Sequence, residues 1–183
     1  MRRIIGVCST LILGLAVLGW PGLARQQNGG KPLSPPASAE CKFADGKTIH
    51  TDYSSPRLRG RKMIGEHEPY GKPWRAGANA ATTFVTTANL SIDGKEVPPG
   101  SYTLFVIPNP DKWTLIISKK TGEWGIPYPG EQYELGRYDM KLGTLPSSVE
   151  DFTISYTQSS STSCTLGLEW DTTRASITLN EQK

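Results

Sequence analysis

Glycine and proline interrupt this chain so often that long helices do not fit. The 183 residues include 19 glycines and 14 prolines, and both residue types destabilise helix interiors. Short segments instead alternate apolar and polar side chains, as Phe152, Ile154 and Tyr156 do within their segment. Alternation with a period of two is typical of half-buried β-strands. We therefore expect an all-β protein with at most short helical turns.

The order of strands and turns favours an antiparallel arrangement. Asp93 and Gly94 stand between two short apolar segments, and an Asp-Gly pair suits the left-handed backbone of a two-residue hairpin turn. Residues 102–107 and 113–117 are the most apolar runs and are expected at the centre of the fold. Closely spaced strands of this kind predict a single antiparallel β-sandwich or flattened barrel, with a long polar irregular segment at about residues 54–80.

The N-terminus has the features of a secretory leader. Arg2 and Arg3 precede an apolar run over residues 4–18, and small residues for cleavage follow at positions 22–24. The apolar run is shorter than the roughly 20 residues that a membrane-spanning helix needs. We therefore expect a signal peptide over residues 1–24, export to the periplasm or beyond, and no integral membrane span after cleavage.

The remaining chain is predicted to form one domain. Residues 25–39 are rich in Gly, Pro, Ser and Gln and have no apolar periodicity, which predicts a flexible tether. Residues 40–181 are then expected to form a single β-rich domain. The formal net charge of +3 is too small to suggest general binding to nucleic acid.

Cys41 and Cys164 are the two cysteines that follow the predicted leader. An even number of cysteines in an exported protein favours a structural disulfide between them. Two buried free thiols are the alternative. The chain has no Cys-x-x-Cys motif of a redox site.

Residues 52–83 hold the densest polar chemistry of the chain. Arg57, Arg59 and Arg61 occupy alternate positions, so an extended backbone directs all three side chains the same way. Guanidinium groups bind carboxylate, phosphate or sulfate through paired hydrogen bonds. The segment therefore predicts a site for a small anionic ligand. In the alternative interpretation, the arginines pair with nearby carboxylates and carbonyls and hold a long loop on the sandwich.

Four residues later in this segment fit a carbohydrate site: Tyr70, Trp74, Arg75 and Asn79. In such a site an aromatic ring stacks on the sugar and polar groups fix its hydroxyls. The alternative places Trp74 in the core and lets Asn79 hydrogen-bond to its own loop.

Metal binding and catalysis have less support in the sequence. A metal site needs three or four convergent ligands, and His50 and His67 are the only histidines, so we expect neither a metal site nor a cofactor. The motifs of serine hydrolases, phosphate-binding loops and zinc hydrolases are absent. A pair of carboxylates such as Asp52 and Glu68 would suit glycoside hydrolysis, and this keeps a hydrolase as an alternative.

The sequence thus predicts an exported, non-catalytic binding module for a small anionic or carbohydrate ligand. The alternatives are a hydrolase with a carboxylate acid or base in the same segment, and an envelope structural or interaction protein with no small-molecule site. The candidate ligand-binding residues are Asp52, Arg57, Arg59, Arg61, Tyr70, Trp74, Arg75 and Asn79.

Several motifs of this chain form a recognisable set. They are Asp52-Tyr53-Ser54-Ser55-Pro56-Arg57-x-Arg59-Gly60-Arg61, Pro69-Tyr70-Gly71-x-x-Trp74-Arg75-x-Gly77-Ala78-Asn79, Pro99-Gly100-x-Tyr102-x-Leu104-Phe105, Trp113, Trp124-Gly125 and Leu168-Glu169-Trp170-x-x-Thr173. From about residue 33 to 179 the chain resembles the bacterial domain-of-unknown-function 2911 family. The resemblance implies an exported β-rich domain and no particular activity. His67 and the cysteine pair depart from the shared pattern and take no role from it.

Overall fold

The computed structural model describes residues 33–182, which form nine strands and one short 3-10 turn at Glu131–Tyr133. This confirms the predicted all-β class. The strands are β1 (Pro36–Lys42), β2 (Thr48–Ser54), β3 (Thr82–Thr86), β4 (Leu90–Ile92), β5 (Lys95–Val97), β6 (Gly100–Ile107), β7 (Trp113–Ser118), β8 (Glu134–Ser160) and β9 (Ser163–Glu181).

All nine strands belong to one antiparallel sheet in the order β1-β2-β3-β6-β7-β8-β9-β4-β5. The long strand β8 pairs with β7 through residues 134–140 and with β9 through residues 141–160. The register between β8 and β9 breaks between Thr144 and Val149 and again before Thr153. β8 therefore takes part in two layers of the fold. The edge strand β1 also contacts β8. The sheet is not closed, and its arrangement is consistent with the predicted antiparallel sandwich or flattened barrel.

Two local predictions are confirmed by this topology. β6 and β7 occupy the fourth and fifth of nine positions in the sheet, so the most apolar runs do lie at its centre. Asp93 and Gly94 have φ angles of 48° and 77° and join β4 to β5. These are the left-handed conformations that a two-residue hairpin turn requires.

An aromatic cluster fills the middle of the sandwich. The Trp74 ring stacks on Trp170 with a centroid distance of 5.4 Å and meets Phe152 edge-on at 4.9 Å. Trp74 comes from the irregular segment, where it exchanges two backbone hydrogen bonds with Val106 of β6. Only 4% of Trp74 is exposed. The suggestion that Trp74 stacks on a ligand is therefore corrected: this side chain belongs to the core.

A disulfide bond joins Cys41 of β1 to Cys164 of β9, as predicted, with the two Cα atoms 6.5 Å apart. Both cysteines are buried. In the sheet order β1 is the edge strand and β9 is the seventh of the nine strands, so the bond joins two strands that share no hydrogen-bonded ladder.

The predicted end of the tether is wrong. Pro36 to Ala39 belong to β1, where Ala37 and Ala39 pack against the core. Pro36 is tolerated because it is the first residue of an edge strand, where its missing N–H breaks no ladder. The predicted signal peptide and the rest of the predicted tether lie outside the described residues. Within residues 33–182 no helix has the length and apolar character needed to cross a membrane.

The loop from residue 119 to 130 covers the outer face of β6 and β7. Phe105 and Ile116 point away from the sandwich core yet are fully buried. The Tyr128 ring meets Phe105 edge-on at 4.9 Å. This outer face therefore has a small apolar cluster of its own.

Candidate functional site

Residues 55–81 form the predicted irregular segment, and its backbone is strained and well fixed. Arg59, Ala76 and Asn79 have φ angles of 50°, 50° and 58°, three of the five positive values found at non-glycine residues within the described range. Such conformations cost about 1–3 kcal/mol each and persist only where the surroundings enforce them. The segment is held by bridges to β6 and β8. It is therefore a rigid surface on which side chains have defined positions.

The three alternating arginines each anchor this segment. Arg57 Nε lies 2.6 Å from Asp151 Oδ1, and Arg59 Nη2 donates to Leu33 O at 2.9 Å. Arg61 donates to two carbonyl oxygens of its own turn, both at 3.0 Å. This is the bracing role of the alternative interpretation. Each guanidinium has five N–H donors, however, and these contacts use only one or two of them.

The same three side chains border an open groove on the surface, which we call the arginine groove. Its volume is about 470 Å³. The structure therefore combines both interpretations of the segment, because the arginines brace the loop and also face an accessible groove. The groove is lined by Leu33, Ser34, Pro56, Arg57, Arg59 and Arg61.

Asp52 and Asn79 lie apart from the lining of this groove. Asp52 is exposed on the outer face of β2, where its Oδ1 is 3.0 Å from His50 Nε2. Asn79 is exposed and its Nδ2 donates to Ser34 O at 3.4 Å. The alternative interpretation expected Asn79 to hydrogen-bond to its own loop, but its amide instead donates to the chain segment before β1.

Arg75 lies on another surface, under the loop from residue 119 to 130. Its Nη1 donates to Trp124 O at 2.9 Å, and its guanidinium carbon lies 5.2 Å from the centroid of the half-exposed Trp124 ring. Burial lowers the pKa of Arg75, and the nearby Glu68 opposes this change. Burial raises the pKa of Glu68, which Arg75 opposes in turn. No ion pair within 4 Å joins these two side chains.

A second pocket, which we call the apical pocket, opens between the irregular segment and the end of the sandwich. Its volume is about 180 Å³. The floor is apolar and buried, and it consists of Leu58, Met63, Trp113 and Trp170. The polar groups at the rim are Lys62, Tyr70, Asn109, Asp171, Thr172 and Thr173.

Tyr70 is the one predicted ligand residue that lines the apical pocket. Gly65 leaves room for its ring, since a Cβ at Gly65 would come within 2.6 Å of the Tyr70 ring. Gly65 also has a φ of 91°, which disfavours any other residue. Gly71, which follows Tyr70 in the chain, donates its N–H to Pro108 O at 3.0 Å. The backbone beside Tyr70 is thus anchored to the end of β6, and its ring packs over Gly65.

The rim of the apical pocket carries one positive and one negative side chain, Lys62 and Asp171. Asp171 Oδ1 accepts a hydrogen bond from Ser148 Oγ at 2.8 Å. Asp171 has a φ of 52° inside β9, at the bend where the register to β8 is interrupted. The pocket therefore offers both donors and acceptors, and the charges of these two side chains cancel.

Sequence reasoning missed Asn109, Asp171, Thr172 and Thr173 as pocket residues. They come from the turn after β6 and from the bend of β9, far along the chain from Tyr70. The only local signal was the turn motif at Asn109-Pro110. Among residues 33–182 no group of three His, Cys, Asp or Glu side chains is placed to hold a metal ion.

Comparison with known proteins gives one match. A family profile described as "Protein of unknown function (DUF2911)" matches residues 34–179, nearly all of the described chain. The chain belongs to the DUF2911 family. No curated protein matches the chain, and neither does any solved structure.

The motifs that resembled the DUF2911 family meet at the apical pocket in this structure. Tyr70, Trp113 and the pair Trp170 and Thr173 stand in three separate motifs of the sequence, and all four residues line the pocket. The arginines of the first DUF2911 motif line the arginine groove instead. Leu58, which lies between two of these arginines, points to the apical pocket. The first motif therefore contributes to two sites on opposite sides of one chain segment.

Proposed function

We propose that this DUF2911 protein is an exported, non-catalytic binding module that holds a small polyhydroxylated ligand of the carbohydrate type in the apical pocket. The observation that carries the proposal is the combination of a buried apolar floor with a rim of hydrogen-bonding groups. Ligand sites in proteins have this composition, with few polar groups placed to orient the ligand. The half-exposed ring of Tyr70 at the rim provides an aromatic surface beside the floor.

The charges of the rim favour a neutral ligand over an anion. Lys62 would attract an anion, but Asp171 on the same rim would repel it. A sugar hydroxyl both donates and accepts hydrogen bonds, so it can use a lysine, a carboxylate and the Asn109 amide together. The pocket is smaller than the roughly 300–1,000 Å³ of drug-sized sites, which suggests a single sugar ring or a molecule of similar size.

The arrangement of carboxylates supports binding rather than hydrolysis. A glycosidase needs two carboxyl groups about 5–9.5 Å apart around the scissile bond. The apical pocket is lined by one carboxylate, that of Asp171, which accepts a hydrogen bond from Ser148 Oγ. Asp52 and Glu68, the carboxylates considered from the sequence, are not part of this lining. Export is supported by the predicted signal peptide and by the disulfide bond, since disulfides persist in oxidising compartments.

A thermal-shift and calorimetric screen of the purified protein tests the proposal. The compounds are neutral hexoses and pentoses, amino sugars and uronic acids. A ligand at 100 times its Kd adds about 2.7 kcal/mol of stability, which raises the Tm by roughly 5–10 °C for a domain of this size. We expect neutral sugars to give the larger shifts.

Matched variants assign the binding to the pocket. Lys62→Ala and Lys72→Ala each remove one exposed lysine from the irregular segment, but only Lys62 lines the pocket. We expect the sugar-induced shift to fall in Lys62→Ala and in Asn109→Ala and to persist in Lys72→Ala. A shift that survives in both pocket variants would refute the assignment. Release of product from the bound sugar would favour the hydrolase instead.

A further inference from the structure

The arginine groove has a chemistry different from that of the apical pocket. Three of its six lining residues are arginines, and none of the six is acidic. Asp151 pairs with Arg57, and the Glu150 carboxylate accepts the backbone N–H of Arg59 at 2.8 Å. These two carboxylates offset part of the positive charge, but neither lines the groove. The surface that a ligand meets is therefore cationic.

The guanidinium groups are held in position while most of their donors remain free. Arg57 uses only Nε in its contact with Asp151, so the end of the group with Nη1 and Nη2 has no protein partner among the described residues. Arg59 is held through Nη2 alone. An arginine that is already fixed loses less side-chain entropy when it binds a ligand. The groove therefore presents partly pre-organised donors.

The backbone explains why three arginines converge here. A turn joins Leu58 to Arg61, whose N–H donates to Leu58 O at 3.0 Å, and the three arginines line the groove while Leu58 is buried against the core. Arg59 has a φ of 50° and is followed by Gly60 with a φ of 71°. Strain at a non-glycine residue is a reason to look for function at that residue. Here it places the Arg59 side chain at the groove.

We infer that the arginine groove binds the phosphate or sulfate group of a larger molecule, at a site separate from the apical pocket. Guanidinium forks match the oxygens of these anions and form short, charge-assisted hydrogen bonds with them. The groove is much larger than a single oxyanion at about 470 Å³. Its apolar members, Leu33 and Pro56, provide contact for the group to which the anion is attached. An ester therefore fits the groove better than a free ion.

Calorimetric titration at low ionic strength tests this inference with three probes: a hexose phosphate, the same hexose without phosphate, and inorganic phosphate. We expect the hexose phosphate to bind at least tenfold more tightly than inorganic phosphate. Its affinity should fall as salt is added, because ionic contacts with exposed groups are screened. Inorganic phosphate that binds as tightly as the ester would overturn the inference, and so would the absence of measurable binding by the ester.

Variants separate the groove from general electrostatic attraction. Arg61→Gln and Arg59→Asn each remove one groove arginine, and asparagine tolerates the left-handed backbone at position 59. Lys72→Gln removes one positive charge from the same segment but outside the groove. We expect a loss of at least tenfold in affinity for the hexose phosphate in both groove variants and less than twofold in Lys72→Gln. Equal losses in all three variants would overturn the inference.

The two sites can fail independently. Asn109→Ala alters the apical pocket and should leave binding of the phosphate group to the groove unchanged. Arg61→Gln should leave the response to neutral sugars unchanged. Loss of phosphate binding in Asn109→Ala, with Arg61→Gln still binding, would place the anion in the apical pocket and overturn the inference about the groove. Melting curves and circular dichroism of each variant exclude misfolding as the cause.

Discussion

Glu68 and Arg75 show how burial acts on single charged residues in this protein. Both are partly buried, and burial favours the neutral form of each, so the pKa of Glu68 is raised and that of Arg75 is lowered. Their mutual attraction opposes both shifts but does not cancel them, because burial is the larger cause in each case. The ionised form of Glu68 therefore destabilises the folded protein.

The first prediction concerns Glu68→Gln. A carboxyl whose pKa is raised on folding adds stability at pH values below its ordinary value of 4.5, and this stability is lost as the pH rises through the raised pKa. Glutamine has no charge to bury at any pH. We therefore expect Glu68→Gln to melt at a higher temperature than the parent at neutral pH, and this gain to disappear below pH 4.5.

Melting temperatures measured across this pH range check the prediction. Glu66→Gln, which changes an exposed neighbour, is the control for removing a carboxylate from the segment. If Glu68→Gln melts at a lower temperature than the parent at neutral pH, the attraction to Arg75 outweighs burial and the prediction is wrong.

At the residue scale, the sequence could identify residue types but not the direction of their side chains. Trp74 and Arg75 are neighbours in one predicted ligand group, yet Trp74 enters the core and Arg75 contacts Trp124 on the outside. Adjacent residues on an extended backbone point to opposite sides. Which side is the interior depends on the bridge between Trp74 and Val106, and local sequence does not specify that bridge.

Among the elements, the loop from residue 119 to 130 packs tightly at Gly125 against the irregular segment and β6. A Cβ at this position would lie 3.0 Å from Ala81 Cβ, 3.1 Å from Arg75 Cβ and 3.3 Å from the Phe105 ring. Gly125 also has a φ of 81°. The position of Trp124 beside Arg75 depends on this close approach, because Trp124 directly precedes Gly125 in the loop.

The second prediction compares Gly125→Ala with Gly94→Ala. Both glycines have left-handed backbones, but a Cβ at Gly94 would meet no atom within 4 Å. We expect Gly94→Ala to lose about 1 kcal/mol through backbone strain alone. Gly125→Ala should lose a further 1–3 kcal/mol, roughly, through overpacking. Urea denaturation measures both changes in the free energy of unfolding. Equal losses would mean that the loop shifts to accommodate the Cβ with no loss of stability.

At the element scale, alternation and turn motifs predicted the strands well but not their lengths. β8 has 27 residues and passes through Gly143 and Pro146 without ending, although these residues usually mark a strand boundary. The structure accommodates Pro146 because the ladder to β9 is interrupted between Thr144 and Val149. Whether a proline ends a strand or lies in such an interruption depends on the partner strand.

For the whole molecule, the disulfide bond is the longest-range covalent constraint. Cys41 and Cys164 are separated by 123 residues, so the bond greatly restricts the unfolded chain. In the chain-entropy model a loop of this length contributes about 5 kcal/mol to stability. This is comparable to the total free energy of unfolding of many domains.

The third prediction is that the double variant Cys41→Ala and Cys164→Ala loses at least about 5 kcal/mol of unfolding free energy. Both cysteines are buried in the core cluster, so loss of packing adds to the effect of the missing bond. Guanidinium denaturation measures the change. A reductant should destabilise the parent and leave the double variant unaffected. If the loss is below about 1 kcal/mol, the entropic account of this disulfide is wrong.

Local sequence was enough to predict the β class, the hairpin at Asp93-Gly94 and the central place of β6 and β7, and it favoured a bond between the two cysteines. Each of these follows from local periodicity, turn chemistry or simple counting. That Lys62, Asn109 and Asp171 share one rim while Arg57, Arg59 and Arg61 face a separate groove became visible only in the folded protein. Which residues come together depends on where β8 and β9 bend and on which strands become neighbours. The packing of the whole core sets both features, and no short stretch of the chain does.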